Sequence, residues 1–451
     1  MTRFSSQSSV SSSLALSLGL LSGGLLYAQV FPVTPPLAAS GVDQTAVLQG
    51  TIDSLAANAV LDCGSRQYLV VALRLKSAIT IQNCGFQTSP GAVDFASPIT
   101  LDGRSSPVSN VVIRNVHVDG NRRAQTNIGY AGQEDGGRHC FRLLGSVSNV
   151  IIENSSGSNC ASDGIALVSY GVSQSDSALP FQDIVVRNST FSSNRRHGGS
   201  ADGINGVTFE NVTFAENGTT IPGGSEGDQC ASSGGACYGT GFWYEDYTTT
   251  VAGEGLADLL FSQCVFRNNY QRSLFFFARG LSSAPGFQVR GPVRILNSYL
   301  DSGAQPLDED YAIQFQVDES LVGQGAAFQD ILIQNSVLTG SIGFRGVASV
   351  SLNSSDIKTQ IPYVGFSAYS TQISFSNAQL YGKQLTASLD PVGGNSPLVT
   401  YAAGQGIQSY STSPPQTGSY LKGDVIWNMQ PNPSGWICIV SGNPCLQWQT
   451  F

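Results

Sequence analysis

Nine short segments of the chain alternate apolar with polar residues and reach Asn, Gln or Ser at the same offset. NVVIRNVHV from Asn110, NVIIENSSG from Asn149, DIVVRNSTF from Asp183, GVTFENVTF from Gly206 and DLLFSQCVF from Asp258 set the pattern. PVRILNSYL, DILIQNSVL, SVSLNSSDI and QISFSNAQL continue it to about residue 380. Successive starts differ by 39, 34, 23, 52, 34, 38, 19 and 23 residues, which sets a unit of about 20 residues carrying insertions. Alternation predicts strands with one buried face, and a second short strand and a Gly- or Asn-rich turn follow each segment. A parallel β-helix accounts for this, each unit forming one coil whose backbone pairs with the coils on either side.

In this register Asn115, Asn154, Asn188, Asn211, Asn297, Asn335 and Asn377 align. Asparagine at a bend bonds neighbouring backbone and tolerates left-handed dihedrals, so a structural Asn ladder is expected. The sequons at Asn154, Asn188 and Asn211 are read as part of that ladder rather than as glycan acceptors. Cys264 falls where other coils carry Val116, Ser155, Ser189, Val212 and Ser298, and is expected to be a free, buried thiol.

Ahead of each repeat lies another strand candidate: HCFRLLG from His139, DGIALVS from Asp163, HGGSADG from His197 and GFWYEDY from Gly241. SLFFFAR from Ser273, AIQFQVD from Ala312 and SIGFRGV from Ser341 follow. Stacking turns them into one sheet. Alternation then points Phe242, Tyr244, Ile313, Phe315, Val317, Ile342 and Phe344 inward. The outward row is expected to hold Arg142, His197, Trp243, Glu245, Gln314, Gln316 and Arg345, a lining of aromatic, amide and guanidinium groups suited to sugar. Asp163 is placed at the turn entering its strand, where Gly164 permits a bend.

The stretch SSNRRHGGSADGI, residues 192 to 204, gathers Arg195, Arg196, His197 and Asp202 in a chain that is only 12% charged and has 3 histidines. His197 is expected one coil from Asp163 and one coil from Glu245. A histidine near carboxylates carries protons near neutral pH, and guanidiniums hold a sugar carboxylate.

Composition fits an all-β protein: 41% hydrophobic, 51 glycines and 2 methionines among 451 residues. Net charge is −9, so nucleic acid and anionic membranes are not expected partners. Residues 1–28 read as a signal peptide, with Arg3, the run LALSLGLLSGGLLYA and a cleavage site after Ala28. That implies a secreted, periplasmic or cell-surface protein with no membrane span after signal removal. Nine cysteines without close CxxC pairs then suggest disulfides, with candidate pairs Cys63/Cys84, Cys140/Cys160, Cys230/Cys237 and Cys438/Cys445. Residues 29–43 read as a linker, 44–384 as the β-helix and 385–451 as a small C-terminal β module. Trp427, Trp436 and Trp448 are read mainly as the core of that module.

The signal peptide, the opening DQTAVLQGTIDSLAANAVLDCGSRQYLV and the coil repeats together resemble the pectate-lyase-like superfamily of right-handed β-helix proteins, over most of residues 40 to 380. That resemblance implies glycan bound along the predicted outward row, by lyases, galacturonan hydrolases, epimerases or phage tailspikes. SNCASDGIAL is similar to the NTDGID stretch of polygalacturonases, with Asp163 on its first aspartate and Ala166 where the second would stand. RRHGG is similar to their GHG stretch, with His197 on the histidine and Arg196 in place of the first glycine. No GDD or RIK stretch is present. Closer is the likeness to bacterial β-helix proteins that read DGI, then NRRQGI, then a GIDIEP-like strand, here Asp163, then Arg195-Arg196-His197, then GFWYED with Glu245. The C-terminal stretch YLKGDVIWNMQPNPSGWICIVSGNPCLQW resembles a β module appended to bacterial and phage β-helix proteins.

The leading expectation is an exported polysaccharide lyase or glycoside hydrolase acting on a uronate-containing glycan. In β-elimination His197 would be the base, with Arg195 or Arg196 neutralising the carboxylate. In hydrolysis Asp163 and Glu245 would be the acid/base pair. Arg142, Asp202, Trp243, Gln314, Gln316 and Arg345 would bind the substrate. No protein-bound metal or cofactor is expected, although a carboxylate-bound calcium would assist elimination. The rival is a non-catalytic glycan-binding or surface-structural β-helix, adhesin- or tailspike-like.

Overall fold

The computed structural model describes residues 32–36, 41–92, 96–125, 138–169, 181–218, 239–245, 256–278, 290–301, 311–317, 328–344, 346–347 and 349–358, with segments at 364–366, 372–376, 379–381, 398–401, 407–411, 425–428, 435–440 and 446–450. The expected signal peptide, Cys230/Cys237, Cys445, Arg345 and Asn377 lie outside the described residues.

The repeats fold as a right-handed parallel β-helix, as the alternation predicts. Each coil contributes one strand to each of three sheets. The first sheet stacks Ile165–Val168, Gly199–Asp202, Thr240–Glu245, Arg272–Ala278, Tyr311–Val317 and Ser341–Phe344, all parallel, with a register shift only between Tyr311 and Ile313 against the last strand. The second runs through Gln182–Arg187, Ile204–Glu210, Leu256–Ser262, Val293–Leu296, Ile331–Gln334 and Ser349–Asn353. The third carries short strands such as Thr190–Ser192, Thr213–Ala215 and Val265–Arg267.

The inward alternates form one continuous core. Val207, Phe209, Phe261, Phe214 and Phe266 are fully buried, and rings stack coil on coil: Phe209 on Phe261 at 5.1 Å and Phe214 on Phe266 at 5.0 Å. Such offset stacks add to simple area burial.

The corners explain the asparagines. Asn115, Asn154, Asn188, Asn211, Asn297 and Asn335 all have φ between 50° and 52°, the left-handed region that Asn tolerates best among residues with a Cβ. Their side chains are solvent-facing and linked along the ladder, Asn211 Nδ2 donating to Asn188 Oδ1 at 2.9 Å. A second ladder, fully buried, lies six residues further on, where Asn194 Nδ2 donates to Asn217 Oδ1 (3.0 Å) and Asn217 Nδ2 to Asn269 Oδ1 (2.8 Å).

Cys63–Cys84 and Cys140–Cys160 are disulfides, and Cys264 is free and buried, as expected. Serine and cysteine share one interior column, in which Ser298 Oγ accepts the Cys264 backbone N–H at 3.0 Å and Ser336 Oγ that of Ser298 at 3.1 Å.

A helix, Thr45–Ser54, precedes the first coil and buries Leu48 and Ile52. The alternation offered no sign of it. Gln49 both donates to the Arg74 carbonyl (3.0 Å) and accepts its N–H (2.8 Å), so the helix satisfies an edge strand that would otherwise present unpaired backbone. At the other end, Leu398–Tyr401 still pairs in parallel with Gln372–Ser376, whereas its pairing with Ile407–Ser411 and that of Gly435–Val440 with Gln447–Thr450 are antiparallel. Trp436 is buried in this module, in keeping with a core role.

Candidate functional site

Register in the first sheet brings distant residues together in columns. His139, Asp163, His197, Thr240, Arg272 and Tyr311 form one column at the turns entering the strands. Arg142, Ala166, Ser200, Trp243, Phe275 and Gln314 form the first outward column, and Val168, Asp202, Glu245, Phe277 and Gln316 the next outward one.

Asp163 does lie at the turn, one coil from His197, but Gly164 is there for a different reason than bending. A Cβ on Gly164 would stand 2.6 Å from the Gly198 carbonyl, and one on Gly198 would stand 2.7 Å from that of Gly241. Glycine in this column lets neighbouring coils approach closely beside the charged residues.

The Asp163 carboxylate is wholly buried. Its Oδ1 accepts the His197 backbone N–H at 3.0 Å and faces Arg196 Nε at 3.4 Å. Its Oδ2 accepts the Ser200 hydroxyl at 2.6 Å and lies 3.3 Å from His139 Nδ1. Burial works to raise its pKa, but Arg196, the His139 hydrogen bond and His197 outweigh it and hold the group far below the usual carboxylate range. Asp163 is therefore held ionised and out of contact with solvent, bonded to groups on the coils on either side.

His197 lies in the turn column, two positions ahead of its strand, and is 1% exposed rather than standing in the outward row. Its ring stacks against Trp243, centroids 4.9 Å apart. The Thr240 backbone N–H donates to Nδ1 at 3.3 Å, which leaves the proton of the neutral ring on Nε2. In that neutral form the side chain presents a donor at Nε2. Arg195 and Arg196 are set on the preceding coil, their backbone N–H groups bonding the Cys160 and Ser162 carbonyls. Arg195 is buried and Arg196 is largely covered.

Trp243 is half-buried and points outward, with Phe242 and Tyr244 inside, as the alternation predicts. Its Nε1 donates to Glu245 Oε2 at 3.0 Å, and Glu245 is 4% exposed rather than open to solvent. Arg142, Gln314 and Gln316 are half-buried on the outward face, and Gln314 Nε2 donates to Gln316 Oε1 at 3.5 Å. Asp202 is committed elsewhere, buried with its Oδ1 accepting the Ser169 N–H at 2.7 Å, because it closes its strand onto the previous coil.

Sequence reasoning missed the aromatic continuation of this face. Phe275 packs edge-on against Trp243 at 4.4 Å, Phe277 stacks beside Phe275 at 6.0 Å, and the Arg272 guanidinium lies 4.6 Å over the Phe275 ring. The signal was the run Phe275-Phe276-Phe277, in which alternation turns the first and third rings outward. It also missed His139 and Ser200 as partners of Asp163.

Among the described residues, no group of three or more His, Cys, Asp or Glu side chains is placed to hold a metal ion. Among the same residues no helix is long and apolar enough to cross a membrane.

No family model and no curated protein matches the sequence. Solved structures do share the fold. The N-terminal fragment of bacteriophage phi29 gene product 12 superposes with a TM-score of 0.51 at 13% identity, over 77% of this chain and 63% of that one. A tailspike of E. coli bacteriophage HK620, solved with a hexasaccharide, gives 0.49 at 12% identity, over 81% and 62%. Tailspike gp49 of Acinetobacter baumannii bacteriophage Fri1, a capsular polysaccharide depolymerase, gives 0.45 at 13% identity, over 79% and 62%. The chain thus spans about three fifths of those proteins' lengths, and the likeness to the gene product 12 fragment is one of fold alone.

Proposed function

We propose that this chain is an exported, polysaccharide-active β-helix protein that binds a uronate-containing glycan across its first sheet and cleaves it by β-elimination. Trp243 carries the reading: its indole touches the His197 ring at 4.9 Å and bonds Glu245 at 3.0 Å, so a proton donor and a carboxylate flank one sugar-sized aromatic surface. Arg195 and Arg196 neutralise the uronate carboxylate, acidifying the adjacent C–H. Glu245 takes that proton, the electron pair forms the carbon–carbon double bond, the glycosidic C–O bond breaks, and the departing oxygen takes the Nε2 proton of His197. Inverting or retaining hydrolysis by Asp163 and Glu245 is disfavoured, since the fully buried Asp163 carboxylate reaches neither a glycosidic bond nor an attacking water. The disulfides favour an oxidising compartment, in accord with export.

The burial of His197 and Glu245 favours a second reading, in which the face binds glycan without turnover. Incubation with pectin, polygalacturonate, alginate and glycosaminoglycans separates the two. Elimination predicts unsaturated uronate absorbance that Glu245→Gln and His197→Ala reduce by about 10²-fold or more while binding persists. Undiminished product from both variants would remove the assigned roles.

A further inference from the structure

The outward face of the first sheet changes chemical character along the helix axis. Arg142 and Arg196 place guanidiniums in the half around Asp163, where Arg196 also faces the Asp163 carboxylate. Beyond Trp243 the half-buried groups among the described residues include Phe277, Gln314 and Gln316, and Arg272 in that half is drawn onto the rings of Phe275 and Tyr311. Adjacent coils lie about 4.8 Å apart, so the five coil steps from Arg142 to Gln314 span roughly 24 Å, the reach of an oligosaccharide of several units.

These halves suit different sugars. Forked guanidiniums recognise a planar carboxylate. An aromatic ring offers its face to the C–H side of a sugar, while a pair of carboxamides, each both donor and acceptor, reads hydroxyl or acetamido groups and has no preference for charge. A glycan of uronates alone would set a carboxylate against the aromatic and amide half, losing hydration where, among the described residues, the one guanidinium is already held against aromatic rings.

Resting on the reading of this face as a polysaccharide site, we propose that its substrate is a heteropolymer in which an acidic sugar adjoins a neutral or N-acetylated one. The acidic unit sits at Arg142 and Arg196, and its neighbour lies on Phe277 and Trp243 with its polar substituents at Gln314 and Gln316.

The test is calorimetric titration of the full protein with oligosaccharides of matched length from hyaluronan and heparosan (alternating), polygalacturonate and alginate (uniformly acidic) and dextran (neutral). At least one alternating glycan is expected to bind about tenfold or more tightly than any uniform one. Phe277→Ala should erase that margin, the scale of a truncated aromatic anchor, while leaving the uniform acidic glycans within about twofold. Gln316→Ala, read the same way, serves if Phe277→Ala does not fold. Uniform acidic glycans binding as tightly as both alternating ones would overturn the heteropolymer inference and leave the proposed function standing. Binding of no acidic glycan would remove both.

Discussion

Asp163, which motif reading would make catalytic, is completely buried between coils. Its four partners come from the coils on either side, and replacing it leaves Arg196 and His139 facing a site without its counter-charge. Asp163→Asn should cost about 3–5 kcal/mol in urea unfolding at neutral pH. The sign with pH follows from the depressed pKa. The unfolded chain binds a proton near the ordinary value of 3.8 and the folded chain only well below it, so this stabilisation is complete above that value and is lost as pH falls beneath it. The gap between parent and variant should therefore narrow from pH 4 downward, to be followed by denaturation across pH; a constant gap would contradict the ionised assignment. That Asp163 and His197 occur together was legible in the sequence, since both precede Gly at the start of a strand. Their depth was not. Alternation reports which face a side chain takes, not whether a turn folds it between coils.

At the level of the repeated elements, the exposed Asn ladder was legible because its residues recur at one offset from an apolar pair. The buried ladder follows the same arithmetic, six residues later at Asn194, Asn217 and Asn269, but insertions in the coils hide its period. Asn217 donates to Asn269 and to the Phe191 carbonyl and accepts from Asn194, so Asn217→Ala leaves several buried groups unsatisfied. A loss of about 3 kcal/mol or more is expected in equilibrium unfolding, at 1–3 kcal/mol per orphaned group; a change under about 1 kcal/mol would show that the ladder is incidental. Cys264 makes the opposite case. Burial pushes its thiol up to about 12 and its Sγ donates to the Phe209 carbonyl, so it belongs to the serine column as a packed residue. Iodoacetamide should leave it unmodified in the native protein and alkylate it only on unfolding, as mass spectrometry would register.

For the whole molecule, the β-helix converts sequence distance into proximity. Residues 139, 163, 197 and 240 become neighbours in one column because each opens a strand of the first sheet, and Trp243 and Glu245 lie along the last of those strands. The fold could be read from the chain because every coil repeats the same alternation, whereas the capping helix, which occurs once, could not. The outward aromatic track was obscured because Phe275, Phe276 and Phe277 read as one apolar run, and only the register of neighbouring coils divides it between core and surface. With a net charge of −9, attraction to an acidic glycan has to come from the local cluster of arginines rather than from the overall field. The central claim is that this cluster, with Trp243 between His197 and Glu245, eliminates across a uronate linkage. The measurement that tests it most directly is the ratio of new carbon–carbon double bonds to new reducing ends as the protein degrades an acidic polysaccharide. Elimination predicts one double bond for every end formed. Ends without double bonds, or firm binding with neither product, would contradict it.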